Sequence, residues 1–239
     1  MYEREKREII DILNTNKGRY GYRRVLTVLS SRGYSINHKK DEVGKVADNL
    51  LNRDFYATKP FEKLKTDVTQ FKVCNEKVYL SPVMDLFNRE IISYSISLSL
   101  NLWQIREMLN GLFDKLPADA TPLFHSYQGW QYQHAEYQRL LSEHNITQSM
   151  SRKGNCMDNG AMENFFGRLK VEMFYGEKFQ SVNVFIDELE HYIDYYNNER
   201  ISTKLKGMSP VQFRTHSHSF LYFILSKLWG SLQNALVTS

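Results

Sequence analysis

Residues 64–100 read LKTDVTQFKVCNEKVYLSPVMDLFNREIISYSISLSL. Three runs in it, LKTDVTQFKV, KVYLSPVMDLF and EIISYSISLSL, are rich in Val, Ile, Tyr, Phe and Thr and are joined by the short polar links Asn75-Glu76 and Asn88-Arg89. Such residues fit a pleated, half-buried surface, and links this short let a strand do little but fold back on its neighbour. The stretch therefore predicts an antiparallel three-strand meander. Asp67 stands inside the first run, between Thr66 and Val68. Turned inward, it is costly to ionise without a cation or hydrogen bonds. Turned outward, it is an ordinary solvated carboxylate, and the run alone leaves both readings open.

Beyond residue 100 the period changes. NLWQIREMLNGLF (101–113) reads as a helix, TPLFHS (121–126) as a strand, AEYQRLLSEHN (135–145) as a helix and ITQSMS (146–151) as a strand, with another helix starting near Asp158. Strands joined through helices pair in parallel. A meander extended by parallel strands predicts an α/β fold, a ribonuclease-H-like mixed five-stranded sheet with flanking helices. SVNVFIDELEHYIDYYNNER (181–200) adds a long helix. In front of the meander, residues 3–14 carry the stripe Ile9, Ile10 and Leu13, and residues 22–33 carry Val25, Leu26 and Leu29. Asn37 offers the N-cap of a third helix. The expected division is a small helical, helix-turn-helix-like module over 1–50, a core over 55–175, a helical extension of that core over 176–215, and an atypical tail over 216–239.

The totals bound the classes. The chain has 239 residues, 13% of them aromatic, enough for a real core, and a net charge of +4 that favours a polyanionic partner. Cys74 and Cys156 lack CxxC spacing, which argues against a disulfide scaffold or zinc ribbon and fits a reducing cytoplasm. FLYFILSKLWGSLQNALV (220–237) contains Lys227, Gln233 and Asn234, so it is not expected to span a membrane.

Two further stretches carry candidate chemistry. LFHSYQGWQYQ (123–133) is a strand that breaks into a polar, aromatic turn at Tyr127, with His125 and Ser126 just before it. Adjacent strand residues face opposite ways, so His125 and Ser126 make no hydrolase pair. Trp130 is placed either to stack on a base or to pack under the loop. In DNGAMENFFGRLKVEMF (158–174), Asp158 can cap the helix, and Asn159, Glu163, Phe166 and Lys170 share one face. A carboxylate two turns from a lysine suits a metal beside a phosphate, and a solvated Glu163 is the plain alternative. From Lys17 to Lys40 there are seven Lys or Arg and no acid. Arg19, Arg23, Arg24, Lys39 and Lys40 there, with Arg152, Lys153, Arg168 and Lys170 around the Glu163 helix, are candidates for phosphate contacts.

KTDVTQF, FHSYQGWQYQ and SRKGNCMDNGAMENFFGRLKVEMFYG, with GRYGYRRV in front and YNNERISTKLKGMSPVQF behind, closely resemble the integrase-type core of bacterial insertion-sequence transposases. The group is the second-frame (OrfB) proteins of the IS-three family, IS-150-like branch, and the resemblance runs to about Arg214. It implies an Asp-Asp-Glu triad holding two divalent cations, Mg²⁺ or Mn²⁺, in a DNA strand-transfer reaction. Asp67 matches the first acid and Glu163 the last. The second acid follows His-Ser and precedes Gln-Gly, with 35 residues before the Glu; here that place is Tyr127, and 35 residues separate it from Glu163.

A phenol offers one uncharged oxygen where Mg²⁺ wants hard, charged ones. The resemblance thus implies a transposase whose metal-dependent cleavage and strand transfer are impaired in this copy. The competing reading is a non-catalytic DNA-binding remnant that interferes with intact transposase. Asp85 is the best substitute acid, against a role as a turn acceptor, and His125 is expected to flank the metal site. The implied partners are double-stranded DNA (element ends and target), an OrfA-type partner or fusion, and further copies of the chain on DNA, with no membrane. Relatives carry a longer basic connector than HKKDEVGKVADNLL (38–51) and a Trp near Leu64, and the segment after Arg214 reads as unrelated to the family.

Overall fold

A computed structural model of the protein describes residues 3–16, 20, 22–34, 46–152 and 160–216. The chain forms two compact units, Met1–Val43 and Gly44–Ser239. The expected Asn37 cap and the 216–239 tail, apart from its first residue, lie outside the described residues.

The first unit contains α1 (Glu3–Thr15) and α2 (Tyr22–Ser31). Ile12, Val25 and Leu29 are buried between them, with Ile9, Leu13 and Val28 packed around. Arg32 reaches back to Glu8 at 2.6 Å and Asp11 at 2.9 Å, which ties the end of α2 to α1. Gly33 follows at φ +80°, and the Tyr34 amide donates to the Leu29 carbonyl at 3.0 Å. A left-handed residue that returns the chain onto the last carbonyls is what stops this helix.

The second unit is built on a sheet of β1 (Lys63–Thr66), β2 (Thr69–Val73), β3 (Glu76–Asp85), β4 (Ile91–Ser97), β5 (Leu123–Ser126) and β6 (Thr147–Met150). β3 pairs antiparallel with β4 on one side and with β1 and β2 on the other. β1 then pairs in parallel with β5, and β5 with β6. The meander and its parallel extension are as the sequence predicts, but the strand count differs. Leu64↔Asp85 and Thr69↔Leu80 keep one register, so β1 and β2 are a single line broken at Asp67-Val68. That register sets Asp67 opposite Pro82, which has no N–H to give the ladder. Five expected strands thus become six.

Helices cover both faces. On one, α3 (Leu102–Phe113), α4 (Trp130–Gln133) and α5 (Ala135–Glu143) close over Leu64, Val83, Ile92 and Phe124. Asn101 caps α3, its side chain accepting from the Gln104 amide at 3.0 Å. A Cβ on Gly111 would come within 2.6 Å of Ser93 Oγ, so glycine there is what lets α3 lie close on β4. On the other face, α6 (Gly160–Leu169) and α7 (Val182–Asn198) cover Phe71, Val78, Leu80 and Met84. α7 buries Phe185, Leu189, Tyr192, Ile193 and Tyr196, the spacing of one helical stripe. One turn of π-helix, Lys170–Phe174, joins α6 to the loop before α7.

Candidate functional site

The parallel register brings two of the three expected positions side by side. Lys63 to Thr66 of β1 pair in order with Leu123 to Ser126 of β5. Asp67 and Tyr127 are the next residues beyond the last pair, Thr66↔Ser126, and neighbouring strands lie about 4.8 Å apart. Alternation gives both the same face. Thr66 points to α3, its Oγ1 donating to Met108 Sδ at 3.3 Å, while Phe71 packs under α6 and α7. Odd-numbered residues of this line therefore face α6, Asp67 among them. In β5, Phe124 packs with α3, and Leu123 packs against Leu51, Ala57 and Leu86, the group that Ala161 of α6 also joins, so the alternation carried one residue past β5 gives Tyr127 the α6 face too. Asp67 is half-buried, with Oδ1 accepting from the Val68 amide at 2.8 Å, and Tyr127 is 43% exposed.

A buried polar layer lies one step below. Lys65 pairs with His125, and His125 with Ser149, across three adjacent strands. Lys65 is fully buried, with Nζ 4.9 Å from the Phe55 ring centre. His125 Nδ1 lies 2.9 Å from Ser149 Oγ and Nε2 lies 3.0 Å from Ser151 Oγ. With both ring nitrogens engaged by hydroxyls, His125 braces the strand ends. Lys65 is a residue that sequence reading passed over. Its signal was present, since it stands two positions before Asp67 and so on the same face. On the opposite face, the Tyr132 hydroxyl lies 3.4 Å from Thr66 Oγ1 in full burial. Burial first, then the nearby Asp67 carboxylate, raises the pKa of that phenol.

Glu163 is exposed on α6. Met162, Phe165, Phe166 and Leu169 bury the helix against the sheet face to which Asp67 and Tyr127 turn. Seven residues on, Lys170 Nζ sits 5.6 Å from the ring centre of Phe71, which shares its face with Asp67. Arg168 is exposed on a different side of α6, beside Tyr196 and Arg200. Arg152 donates to Asn52 Oδ1 at 3.1 Å. In the first unit, Arg24 lies 5.8 Å from the ring centre of Tyr20, and Arg23 belongs to α2. Arg19, Lys39, Lys40 and Lys153 lie outside the described residues, as do Asp158 and Asn159. Trp130 opens α4 and is 52% exposed.

Asp85, the expected substitute acid, is used elsewhere. It is 1% exposed, with Oδ2 accepting from the Phe61 amide at 2.8 Å and Oδ1 from the Phe87 amide at 2.9 Å. Burial pushes its carboxyl up to about 6, against the pull of those two amides. Its β3 position pairs with Leu64, at the opposite end of β1 from Asp67. It is a turn acceptor, as the alternative reading had it.

Among the described residues, no group of three or more His, Cys, Asp and Glu side chains is placed to hold a metal ion. The two parallel strand ends offer one carboxylate and one phenol, where such a site needs several charged oxygens. The set does not fit two cations.

Comparison with known proteins adds to this geometry. Two models, both described as "Integrase core domain", match residues 57–156 and 163–218. The chain is 46% identical over 240 residues to InsK of Escherichia coli (strain K12), named as the transposase for insertion sequence element IS150, with 91% of this chain and 85% of that protein covered. It is 54% identical over 176 residues to a transposase-like protein of Haemophilus influenzae, covering 74% and 81%. Among solved structures, a simian T-cell lymphotropic virus intasome chain superposes with a TM-score of 0.56 at 16% identity, over 83% of this chain and 68% of that one, a likeness of fold. Among the described residues, no helix is long and apolar enough to cross a membrane.

Proposed function

Because this chain belongs to the insertion-sequence transposases built on the integrase core domain, we propose that it binds double-stranded DNA at element ends and target but is impaired in the chemistry. The family reaction joins an oxygen of water to phosphorus and breaks the P–O3′ bond. The leaving 3′ oxygen becomes a hydroxyl, and that hydroxyl attacks a second phosphodiester in line, forming a new O3′–P bond as the target strand's own P–O3′ bond breaks and its 3′ oxygen leaves as a hydroxyl. In this reading Asp67 and Glu163 are the surviving acids for Mg²⁺ or Mn²⁺, and Tyr127 occupies the place of the missing one. The observation that supports it is the register of β1 on β5, in which Asp67 and Tyr127 each follow the last paired residues, Thr66 and Ser126. Charge that stabilises developing charge at a reacting phosphate is worth orders of magnitude in rate, and a phenol does not supply it.

The basic residues Arg152, Arg168 and Lys170 serve DNA contact, with Arg19, Arg23, Arg24, Lys39, Lys40 and Lys153 as further contacts. An OrfA-type partner or fusion and further copies of the chain complete the assembly on DNA. Cleavage of supercoiled plasmid in Mg²⁺ or Mn²⁺ tests the reading. Tyr127→Asp is expected to exceed the wild type by about a hundredfold or more; equal rates overturn it. Wild-type DNA binding that weakens steeply with salt, without cleavage, is the accompanying expectation.

A further inference from the structure

At the opposite end of β1 from Asp67, a cavity of about 340 Å³ opens between the segment before β1, the β3–β4 turn, the start of α6 and the chain after α7. Three arginines and a lysine line it, and no carboxylate does. Arg200 is already held by Glu172, at 2.6 Å. Among the described residues, no hydrogen bond or ion pair holds the side chain of Arg89, Arg168 or Lys204. Arg89 is half-buried, and its pKa is lowered, first by burial. Burial outweighs the attraction of the Asp85 carboxylate, which makes no ion pair with Arg89, and two more cations outside any ion pair share the cavity.

The backbone around Arg89 is set for this. Its φ is +66°, its amide donates to the Asp85 carbonyl at 2.8 Å, and the Tyr196 hydroxyl donates to its own carbonyl at 3.1 Å. Part of the remaining wall is aromatic, with Phe55, Phe87 and Tyr196 among aliphatic side chains such as Met84, Leu86 and Leu205, and Tyr56, 75% exposed, stands at its rim. Cations that take a phosphate beside rings that take a flat base are the means by which proteins hold single nucleotides. The volume falls in the range of sites that enclose a small ligand.

We propose that this cavity holds one unpaired nucleotide of DNA, its phosphate on Arg89, Arg168 and Lys204 and its base against Phe87 and Tyr196. The inference rests on the DNA-binding reading above but not on cleavage. The test is titration of the full chain with dAMP by calorimetry. Saturable binding is expected, and Arg168→Glu and Lys204→Glu, both at exposed positions, each weaken it by roughly tenfold or more. Deoxyadenosine, which lacks the phosphate, binds weaker by a similar factor. Lys72→Glu, on the exposed side of β2, leaves binding unchanged, and circular dichroism checks that each variant folds.

A duplex with an unpaired terminal nucleotide competes with dAMP, and the blunt duplex of the same sequence does not. No binding of dAMP, or binding that the two cavity variants leave unaltered, overturns the site. Binding of dAMP that the frayed duplex fails to displace overturns DNA as its source. Because no step is a cleavage, failure here is separate from failure of Tyr127→Asp to gain activity.

Discussion

Asp67 and Asp85 stand near opposite ends of one antiparallel ladder, β1 on β3, and are put to opposite uses. Asp85 is buried at the turn, with an amide donor on each carboxyl oxygen. Asp67 stands where Pro82 breaks the ladder, half-buried, beside a parallel strand end. The difference teaches that the residue type decides less than the backbone around it. Two amides aimed at a buried carboxyl commit it to holding the chain, whereas a ladder break at the end of β1 leaves one half-exposed. By this measure Asp85 holds the β3–β4 turn together, and Asp67 is the carboxylate left to the proposed chemistry.

The largest expected effect is on stability at the turn. Asp85→Ala strands the Phe61 and Phe87 amides in the interior, at about 2 kcal/mol each. Urea unfolding at pH 5 should register a loss near 4 kcal/mol in total. A loss no greater than that of Asp67→Asn would erase the contrast.

Next is pH. The folded chain binds the Asp85 proton more tightly than the unfolded chain, because its carboxyl is raised from 3.8 to about 6. Its contribution is present below the ordinary value and is lost as pH rises through about 6, about 3 kcal/mol in all. Denaturation across pH 4 to 7 should show this fall in the wild type and not in Asp85→Asn. The Glu172 carboxyl behaves oppositely. Its bond to Arg200 first, aided by the Tyr192 hydroxyl, holds it below the ordinary range, so its contribution is lost only under about pH 4.5.

Smaller still is that ion pair, which is partly exposed. Arg200→Ala should cost about 1 kcal/mol, measured by thermal melting at neutral pH. Asp67→Asn should be smallest, within about 0.5 kcal/mol, and its effect should appear instead as loss of whatever cleavage Tyr127→Asp gains.

Much of this was legible in the sequence, for reasons that particular residues make plain. The meander could be read because its runs are β-branched and its links short, and the parallel pairing because helices separate the later strands. The break after Thr66 could not, since it depends on Pro82, sixteen residues beyond Thr66 and across the ladder. α4 was missed because QGWQYQ lacks an apolar period, although its Tyr132 is fully buried. The triad positions could be named from motif and spacing. The burial of Lys65 and His125 beneath them could not, because it follows from three strands stacking in register. Least legible was the basic cavity, whose Arg89, Arg168 and Lys204 meet only once α6 and the chain after α7 have packed.

The central claim is that Tyr127 removes one acidic wall from a cation site whose other walls are Asp67 and Glu163. Calorimetric titration of Mn²⁺ into wild type and into Tyr127→Asp tests it without requiring turnover. The account predicts saturable binding in the variant and affinity lower by at least about tenfold in the wild type. Equal affinity in the two would contradict it.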